Sequence, residues 1–207
     1  MYYLAKQRDQ IEIIIDILNG ITRELSITRV MMSTGLNYLY IKRILTLLIN
    51  QGFIISENDT NKAKHHYYVT INGFFLLNML RKLKYLLVDK DNSITGDESR
   101  HDLKYISKRA KEISLDLIIK KRRSYLEIFF IILSNVIDEP RTLSSIANNS
   151  YLNLKQAKSY VNKLIDIGMI ERISQGNKEK YRITRKGIAL LSIYIEIYNM
   201  INRRLLE

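Results

Sequence analysis

Lysine and amide side chains recur at close intervals in one short stretch of the chain, KQAKSYVNK at residues 155–163. At about 100° of rotation per residue, its polar residues fall on one side of a helix and its apolar residues fall on the other. Ammonium groups bind phosphate oxygens, and side-chain amides pair with the donor and acceptor edges of nucleobases. The stretch therefore predicts a helix face that contacts DNA through Lys155, Gln156, Lys158, Ser159, Asn162 and Lys163.

An earlier stretch, YLYIKRILTLLIN at residues 38–50, has the same spacing but a more apolar character. Leucines stand at positions 39 and 47, where the later stretch has lysines. We therefore expect the later stretch to be the better reader of DNA, and part of the earlier face could be covered by protein. The DNA-binding candidates of the earlier stretch are Tyr40, Lys42, Arg43 and Thr46.

Two polar segments carry further lysines: ENDTNKAKH at residues 57–65 and QGNKEK at residues 175–180. Each lies between two runs rich in β-branched and aromatic residues, and therefore predicts the tip of a β-hairpin. Lysines on such a tip can reach the phosphate backbone or the minor groove of a duplex. The candidates are Lys62, Lys64, Lys178 and Lys180.

The sequence of the elements that position these residues occurs twice in similar form. YYVTING at residues 67–73 and YRITRKG at residues 181–187 share a tyrosine, a β-branched residue, a threonine and a glycine at the same intervals. The preceding segments, residues 35–54 and 151–170, match as well, with Leu-Asn near the start and Gly-apolar-Ile at the end. A register held over this length indicates a duplicated module.

Each copy predicts three helices, a β-hairpin and a last helix, which is the arrangement of a winged helix-turn-helix. An asparagine is expected to cap the third helix, a glycine to end it and a threonine to cap the last helix. These residues are Asn37, Gly52 and Thr70 in the first copy, and Asn153, Gly168 and Thr184 in the second. Four tyrosines fall where the module needs aromatic packing and are expected in the core: Tyr38, Tyr67, Tyr160 and Tyr181.

The predicted fold is mainly α with small β-hairpin wings (α+β): two winged helix-turn-helix modules in tandem, joined by a helical connector. The modules are expected at residues 1–88 and 121–207, with a polar loop and the connector helix at residues 89–120. The connector helix is indicated by apolar residues at alternating steps of three and four. They are Leu103, Ile106, Ala110, Ile113 and Leu117.

Three helices, at residues 74–88, 100–120 and 188–206, carry apolar faces that need a partner. They are expected to pair with one another in an intramolecular pseudo-dimer, or with a second chain in a homodimer.

The residues of both copies resemble small crenarchaeal winged-helix DNA-binding proteins, whose last helix pairs in an antiparallel coiled coil. The matching motifs are Leu36-Asn37-Tyr38, Gly52-Phe53-Ile54 and residues 67–73, and, in the second copy, Leu152-Asn153, Gly168-Met169-Ile170 and residues 181–187. The resemblance covers most of both modules and none of the connector. It implies binding of double-stranded DNA and dimer-like pairing of modules, although those proteins usually carry one module per chain.

Charge agrees with a nucleic-acid partner. The formal net charge is +12 and the sequence pI is about 9.7, which favours anionic partners. Residues 1–88 hold 11 basic and 6 acidic side chains, residues 121–207 hold 15 and 8, and residues 89–120 hold equal numbers. The positive charge therefore lies with the modules rather than with the connector.

Composition excludes several other functions. The chain has no cysteine, which rules out disulfides and thiol chemistry, and its few histidines suggest surface residues rather than a metal site. We expect no enzyme, because no catalytic constellation can be recognised, and no cofactor. No apolar run predicts a membrane span or a signal peptide, so a cytoplasmic, nucleoid-associated protein is expected. The high isoleucine and lysine usage suits a thermophilic archaeon or its virus.

Three functions remain open. The first is a sequence-specific, double-stranded DNA-binding regulator of transcription, with its recognition helices in major grooves and its wings on the backbone. The second is an architectural, chromatin-type DNA binder with little sequence preference. The third is a protein-interaction scaffold, because tandem winged helices can also dock other proteins. The placement of lysines on the third helix and the hairpin tip favours DNA binding.

Overall fold

The computed structural model describes residues 10–23, 26–59, 64–88, 100–120, 122–176 and 178–202. Module 1 consists of α1 (Gln10–Thr22), α2 (Ile27–Thr34), α3 (Tyr38–Asn50), β1 (Ile54–Asp59), β2 (Lys64–Val69) and α4 (Ile71–Val88). Helix α5 (Arg100–Ile118) follows. Module 2 consists of α6 (Tyr125–Asn135), α7 (Leu143–Asn149), α8 (Leu154–Asp166), β3 (Ile170–Gln175), β4 (Lys178–Ile183) and α9 (Arg185–Asn202). The mainly α fold with two hairpin wings, in tandem, is confirmed.

Both hairpins are antiparallel two-stranded sheets with matching registers. Ile54 pairs with Val69 in the first, and Ile170 pairs with Ile183 in the second. In module 2 the segment before α7 extends the pairing, because Arg141 and Tyr181 exchange two backbone hydrogen bonds of 3.0 and 2.8 Å. The extra bridge ties the start of α7 to the second strand of the wing.

The third helix of each module ends at a glycine with a left-handed backbone, as predicted. The φ angle is 65° at Gly52 and 75° at Gly168. Beyond each glycine, the next residue donates its backbone N–H to a carbonyl in the last turn of the helix: Phe53 to Leu48, and Met169 to Leu164, both at 2.8 Å. The glycines donate as well, Gly52 to Ile49 at 2.8 Å and Gly168 to Ile165 at 2.9 Å. The two bonds at each helix end form the Schellman motif, which directs the chain from the helix into the wing.

The threonine of the repeated heptapeptide makes the same two hydrogen bonds in each module. The Thr184 hydroxyl donates to the carbonyl of Gly168 at 2.7 Å, and the backbone nitrogen of Gly187 donates to that hydroxyl at 3.2 Å. Thr70 makes the same two bonds, to Gly52 at 2.7 Å and from Gly73 at 3.1 Å. The threonines are therefore the predicted helix caps, and each also links the last helix to the end of the third.

The glycine of the heptapeptide is required by close packing. A Cβ added at Gly187 would lie 2.4 Å from the carbonyl oxygen of Met169, and one at Gly73 would lie 2.2 Å from the carbonyl oxygen of Phe53. The last helix thus crosses the start of the wing at backbone contact in both modules. The shared pattern of tyrosine, threonine and glycine is thus the sequence signature of that crossing.

Each module has its own apolar centre. In module 1 it includes Leu18, Ile41 and Leu48, and in module 2 it includes Phe130, Val161 and Leu164; all are at most 1% exposed. By contacts the chain divides into two compact units, one running to Lys82 together with the chain from Met200 onward, the other spanning Leu83–Asn199. The second unit therefore contains α5 as well as most of module 2.

Helix α5 is bound to module 2 by polar side chains as well as by its apolar stripe. The Ser107 hydroxyl donates to Asp138 at 2.5 Å, and the buried hydroxyls of Ser114 and Ser134 lie 2.7 Å apart. On α9, the Tyr198 hydroxyl donates to Asp116 at 3.0 Å. Four residues of the predicted stripe, Ile106, Ala110, Ile113 and Leu117, are buried, and the fifth, Leu103, is half-buried.

One expectation changes in detail. Tyr181 is buried and Tyr67 and Tyr160 are half-buried, but Tyr38 is 51% exposed because it lies in the first turn of α3, on its outer side. The last helices begin directly after their threonine caps, as predicted, three residues before the apolar stretches that start at residues 74 and 188. The polar loop at residues 89–99 and the chain beyond residue 202 lie outside the described residues. None of the helices in the described ranges is long and apolar enough to cross a membrane.

Candidate nucleic-acid interface

Helix α8 is held in module 2 from both ends and along one face. Asn153 caps its start, accepting from the backbone nitrogen of Gln156 at 2.8 Å. Ala157, Val161 and Leu164 are fully buried, and these positions fall on one side of the helix. The opposite face is therefore fixed in direction by the core rather than by its own side chains.

The predicted DNA-binding residues of α8 all lie on that outer face. The side chains of Lys155, Gln156, Lys158, Ser159, Asn162 and Lys163 are all exposed. Over these positions the face carries three lysines and no acidic residue. The ammonium group of Lys163 lies 5.7 Å from the centre of the Tyr160 ring, a cation–π contact. The face can thus offer positive charge and amide hydrogen bonds together.

The side chain of Gln156 also takes part in capping α8. Its side-chain oxygen accepts from the backbone nitrogen of Asn153 at 3.3 Å, which completes a capping box at the start of α8. The amide NH₂ group is separate from this bond and can donate outward. The side-chain oxygen that a two-bond pairing with adenine would need is therefore already engaged in the capping box.

The turn before α8 contains the unusual backbone of module 2. Tyr151 has φ 52°, the left-handed region, and its side chain is 73% exposed. At the corresponding turn of module 1 stands Gly35, with φ 65°. Arg123 braces the turn, because its guanidinium donates to the carbonyls of Ser150 at 2.7 Å and Tyr151 at 3.1 Å.

A cleft of about 510 Å³ lies beside α8. Its walls come from the start of α7, from α8 and from the wing: Thr142, Leu143, Ser144, Lys158, Asn162, Arg172, Lys178, Glu179 and Tyr181. It therefore joins two predicted residues of α8 to one predicted wing lysine. Arg172, Thr142 and Ser144 were not predicted. The signal for Arg172 is strand alternation, since it stands two residues after buried Ile170 and pairs with Tyr181.

The charges inside this cleft are not all of one sign. Arg172 and Glu179 form an ion pair at 3.4 Å, and the Tyr181 hydroxyl donates a short hydrogen bond to Glu179. Burial, the bond to Glu179 and its negative charge raise the pKa of Tyr181 to about 12, against a smaller opposing effect of Arg172. The phenol is thus a protonated donor at neutral pH.

The outer face of α3 differs as its sequence predicts. Tyr40, Lys42, Arg43 and Thr46 are exposed. Between them lie apolar side chains, Leu39 at 77% exposed and Leu47 at 47%. This face offers two cations and a tyrosine hydroxyl, together with two exposed leucines.

The wing lysines are only partly placed by the structure. Lys178 is exposed beside the cleft, whereas Lys180 is half-buried and has an interaction partner. Lys64 begins β2, but its side chain and the whole of Lys62 lie outside the described residues. Within the described ranges, no group of three or more acidic or histidine residues could hold a metal ion.

Comparison with known proteins agrees with this architecture. A family described as winged helix-turn-helix matches the chain twice, over residues 7–87 and 122–202. No curated protein matches it. Among solved structures, the chain is similar to a homodimeric winged helix-turn-helix DNA-binding domain from Mycobacterium bovis, described as a possible ArsR-family transcriptional regulator. The identity is 21% and the TM-score 0.30, over 51% of this chain and 91% of that chain.

Proposed function

Because the chain belongs to the winged helix-turn-helix family and carries the module twice, we propose that it binds double-stranded DNA and regulates transcription. Helix α8 enters the major groove with its outer face, and the wing of module 2 follows the backbone. The observation that carries the proposal is this face: six exposed side chains, three of them lysines, with no acidic residue among them.

The chemistry of the face divides between two tasks. Lys155, Lys158 and Lys163 neutralise phosphates or pair with guanine acceptors, which positions the helix and supplies affinity. Asn162 can pair with an adenine edge, and Gln156 donates from its amide while its oxygen holds the capping box. Sequence preference therefore rests on Asn162, Gln156 and Ser159 more than on the lysines.

A second role is supported for module 1. Its α3 face contains Leu39, 77% exposed, and Leu47, 47% exposed, where α8 has lysines. Aliphatic side chains cannot hydrogen-bond to base edges, and an exposed apolar surface favours contact with protein. This observation supports the scaffold function for module 1 beside the DNA-binding function of module 2.

The test compares binding to duplex DNA at several salt concentrations. A duplex selected from a random pool and a scrambled duplex of equal length are titrated with wild type from about 50 to 200 mM salt. The double variant Lys155→Ala, Lys158→Ala is compared with Lys104→Ala, Lys108→Ala, which removes the same charge from exposed positions of α5. We expect the first variant alone to lose affinity and about two units of salt slope.

Each outcome decides between the functions. Preference for the selected duplex that disappears in Asn162→Ala supports a sequence-specific regulator. Equal binding of both duplexes supports the architectural alternative, and absence of binding at low salt contradicts both. A triple variant of α3, Tyr40→Ala, Lys42→Ala and Arg43→Ala, then shows whether module 1 contributes to DNA binding.

A further inference from the structure

The cleft beside α8 is built for an anion but contains one of its own. Among its lining residues the cations are Lys158, Arg172 and Lys178, and the carboxylate is Glu179. Lys158 comes from the helix and the other two cations come from the wing, so the positive groups face the same space from two sides. The cleft has a formal charge of +2 with Glu179 ionised.

The side chain of Glu179 is 48% exposed, and two side chains of the same hairpin contact its carboxylate. It lies 3.4 Å from Arg172, and it accepts a hydrogen bond from the hydroxyl of Tyr181, a residue only 4% exposed. All three residues are on the same face of the hairpin, because Arg172 pairs with Tyr181 in the strand register and Glu179 is two residues before Tyr181. The carboxylate therefore lies beside the guanidinium, although both side chains are about half exposed.

A phosphate group and a carboxylate compete for the same donors of a guanidinium. Both accept two parallel N–H bonds from it, and two anions sharing one arginine repel each other. We propose that the cleft binds a phosphate of the DNA backbone and that Glu179 competes with this phosphate for Arg172. Glu179 thereby limits the affinity of module 2 for DNA of any sequence. The inference rests on the proposed DNA-binding function.

The competing pair belongs to module 2. At the corresponding positions of module 1 the sequence has Ser56 in place of Arg172 and His65 in place of Glu179. The lysine that begins the second strand is present in both, as Lys64 and Lys178. The wing of module 2, which lies beside α8, thus has both Arg172, the strongest phosphate ligand, and Glu179, the carboxylate that competes for it.

The competition between Glu179 and a backbone phosphate affects how well the protein distinguishes DNA sequences. Backbone contacts add affinity equally for every sequence, whereas contacts with bases distinguish one site from another. A carboxylate that weakens a backbone contact lowers binding to all duplexes by a similar factor. Recognition then depends more on the base contacts of α8, and the protein spends less time on random DNA.

The experiment replaces Glu179 by glutamine, which keeps an acceptor for Tyr181 and removes the charge. The matched control is Glu171→Gln, since Glu171 lies on the same hairpin and pairs with Arg182 at 2.7 Å, away from the cleft. We expect Glu179→Gln to bind a scrambled duplex about two- to fivefold more tightly than Glu171→Gln, the range of one surface charge pair. In an Arg172→Ala background the difference between the two should disappear.

Equal binding by the two glutamine variants, or a difference that persists without Arg172, would overturn the inference while leaving the proposed function intact. If wild type itself bound no duplex, this result would instead contradict the proposed function. A second arm adds inorganic phosphate to Glu179→Gln at constant ionic strength. We expect no rise in melting temperature; a rise that Arg172→Ala abolishes would make the cleft a site for free phosphate and overturn the assignment to DNA.

Discussion

The hydroxyl of Thr184 donates to the backbone carbonyl of Gly168 across 2.7 Å, so one side chain joins the cap of the last helix to the end of the third. Thr70 and Gly52 repeat the relationship at the same distance in module 1. In each module this hydroxyl thus connects the recognition helix to the last helix, next to the first strand of the wing.

Replacement of Thr184 by valine should destabilise module 2 by about 2 kcal/mol. Valine has the same shape but neither donates to Gly168 nor accepts from Gly187, so two backbone groups lose their partner. The free energy of unfolding in urea measures the change. Thr46→Val is the control, because the Thr46 hydroxyl bonds only within its own helix at an exposed position; an equal loss in both variants would contradict the role of Thr184.

Replacement of Gly187 by alanine should cost more than replacement of Gly176. The new Cβ at Gly187 would meet the Met169 carbonyl at 2.4 Å and a methylene of Ile183 at 2.6 Å, so the backbone must shift. Such overpacking costs about 1 to 3 kcal/mol. At Gly176 nothing lies within 4 Å and only the left-handed backbone opposes alanine, about 1 kcal/mol. Denaturation midpoints of the two variants compare the effects, and a smaller loss at Gly187 would contradict the close crossing.

Replacement of Tyr151 by glycine should stabilise module 2 by about 0.5 to 1 kcal/mol. Tyr151 holds φ 52°, a conformation that glycine adopts without steric strain, and its exposed ring gains little from packing. Gly35→Ala at the corresponding turn of module 1 should have the opposite sign. Thermal unfolding of both variants gives the answer; a melting temperature that falls for Tyr151→Gly would show that the ring supports the fold.

Asp138 should make the stability of the unit formed by Leu83–Asn199 sensitive to acid. Burial alone would raise the pKa of Asp138, but hydrogen bonds from Lys111 and Ser107 and the charges of Lys111 and Arg141 hold it below its ordinary value of 3.8. A lowered pKa in the folded state means that the ionised group stabilises the fold. That contribution is complete above the unfolded pKa and is lost as the pH falls through the folded one.

The measurement is the free energy of unfolding of wild type and Asp138→Asn from about pH 6 down to about pH 3. The variant should be less stable at the upper end, and the difference should shrink towards the lower end. Glu139→Gln is the neighbouring control, since its surface pair with Arg141 contributes at most about 1 kcal/mol. A difference that grows with acid would contradict the sign of the shift.

Much of the fold could be predicted because its signals are local. Asn153, Gly168 and Thr184 act as a cap, a left-handed turn and a second cap within a few residues of their positions, and their types identify these roles; only the bond from Thr184 to Gly168 spans a longer distance along the chain. The repeat then multiplies each signal, since a coincidence at Gly52 and Gly168 alone would carry less weight than a shared register. The stripe of α5 was equally visible, because helical spacing is short.

The cleft was less predictable because it depends on pairing between strands. Arg172 reaches Glu179 and Tyr181 only through the hairpin register, and no spacing along the chain shows which tip residues face α8. Tyr38 was expected in the core because module packing needs aromatic residues, yet its position in the first turn of α3 places it on the outer side of the helix. The double role of Gln156 likewise depends on the geometry of the first turn of α8.

The outer face of the third helix is separable from the residues that build the module. Asn37, Gly52 and Thr70 hold one module, their counterparts hold the other, and the outward residues of α3 and α8 differ at almost every position. The chain therefore contains two modules with the same supporting residues and different outward surfaces on the third helix. Grafting the outward residues of α8 onto α3 should convert an apolar surface into a hydrophilic one without changing the fold of the module. Duplication followed by such an exchange is a short evolutionary route to new binding preferences.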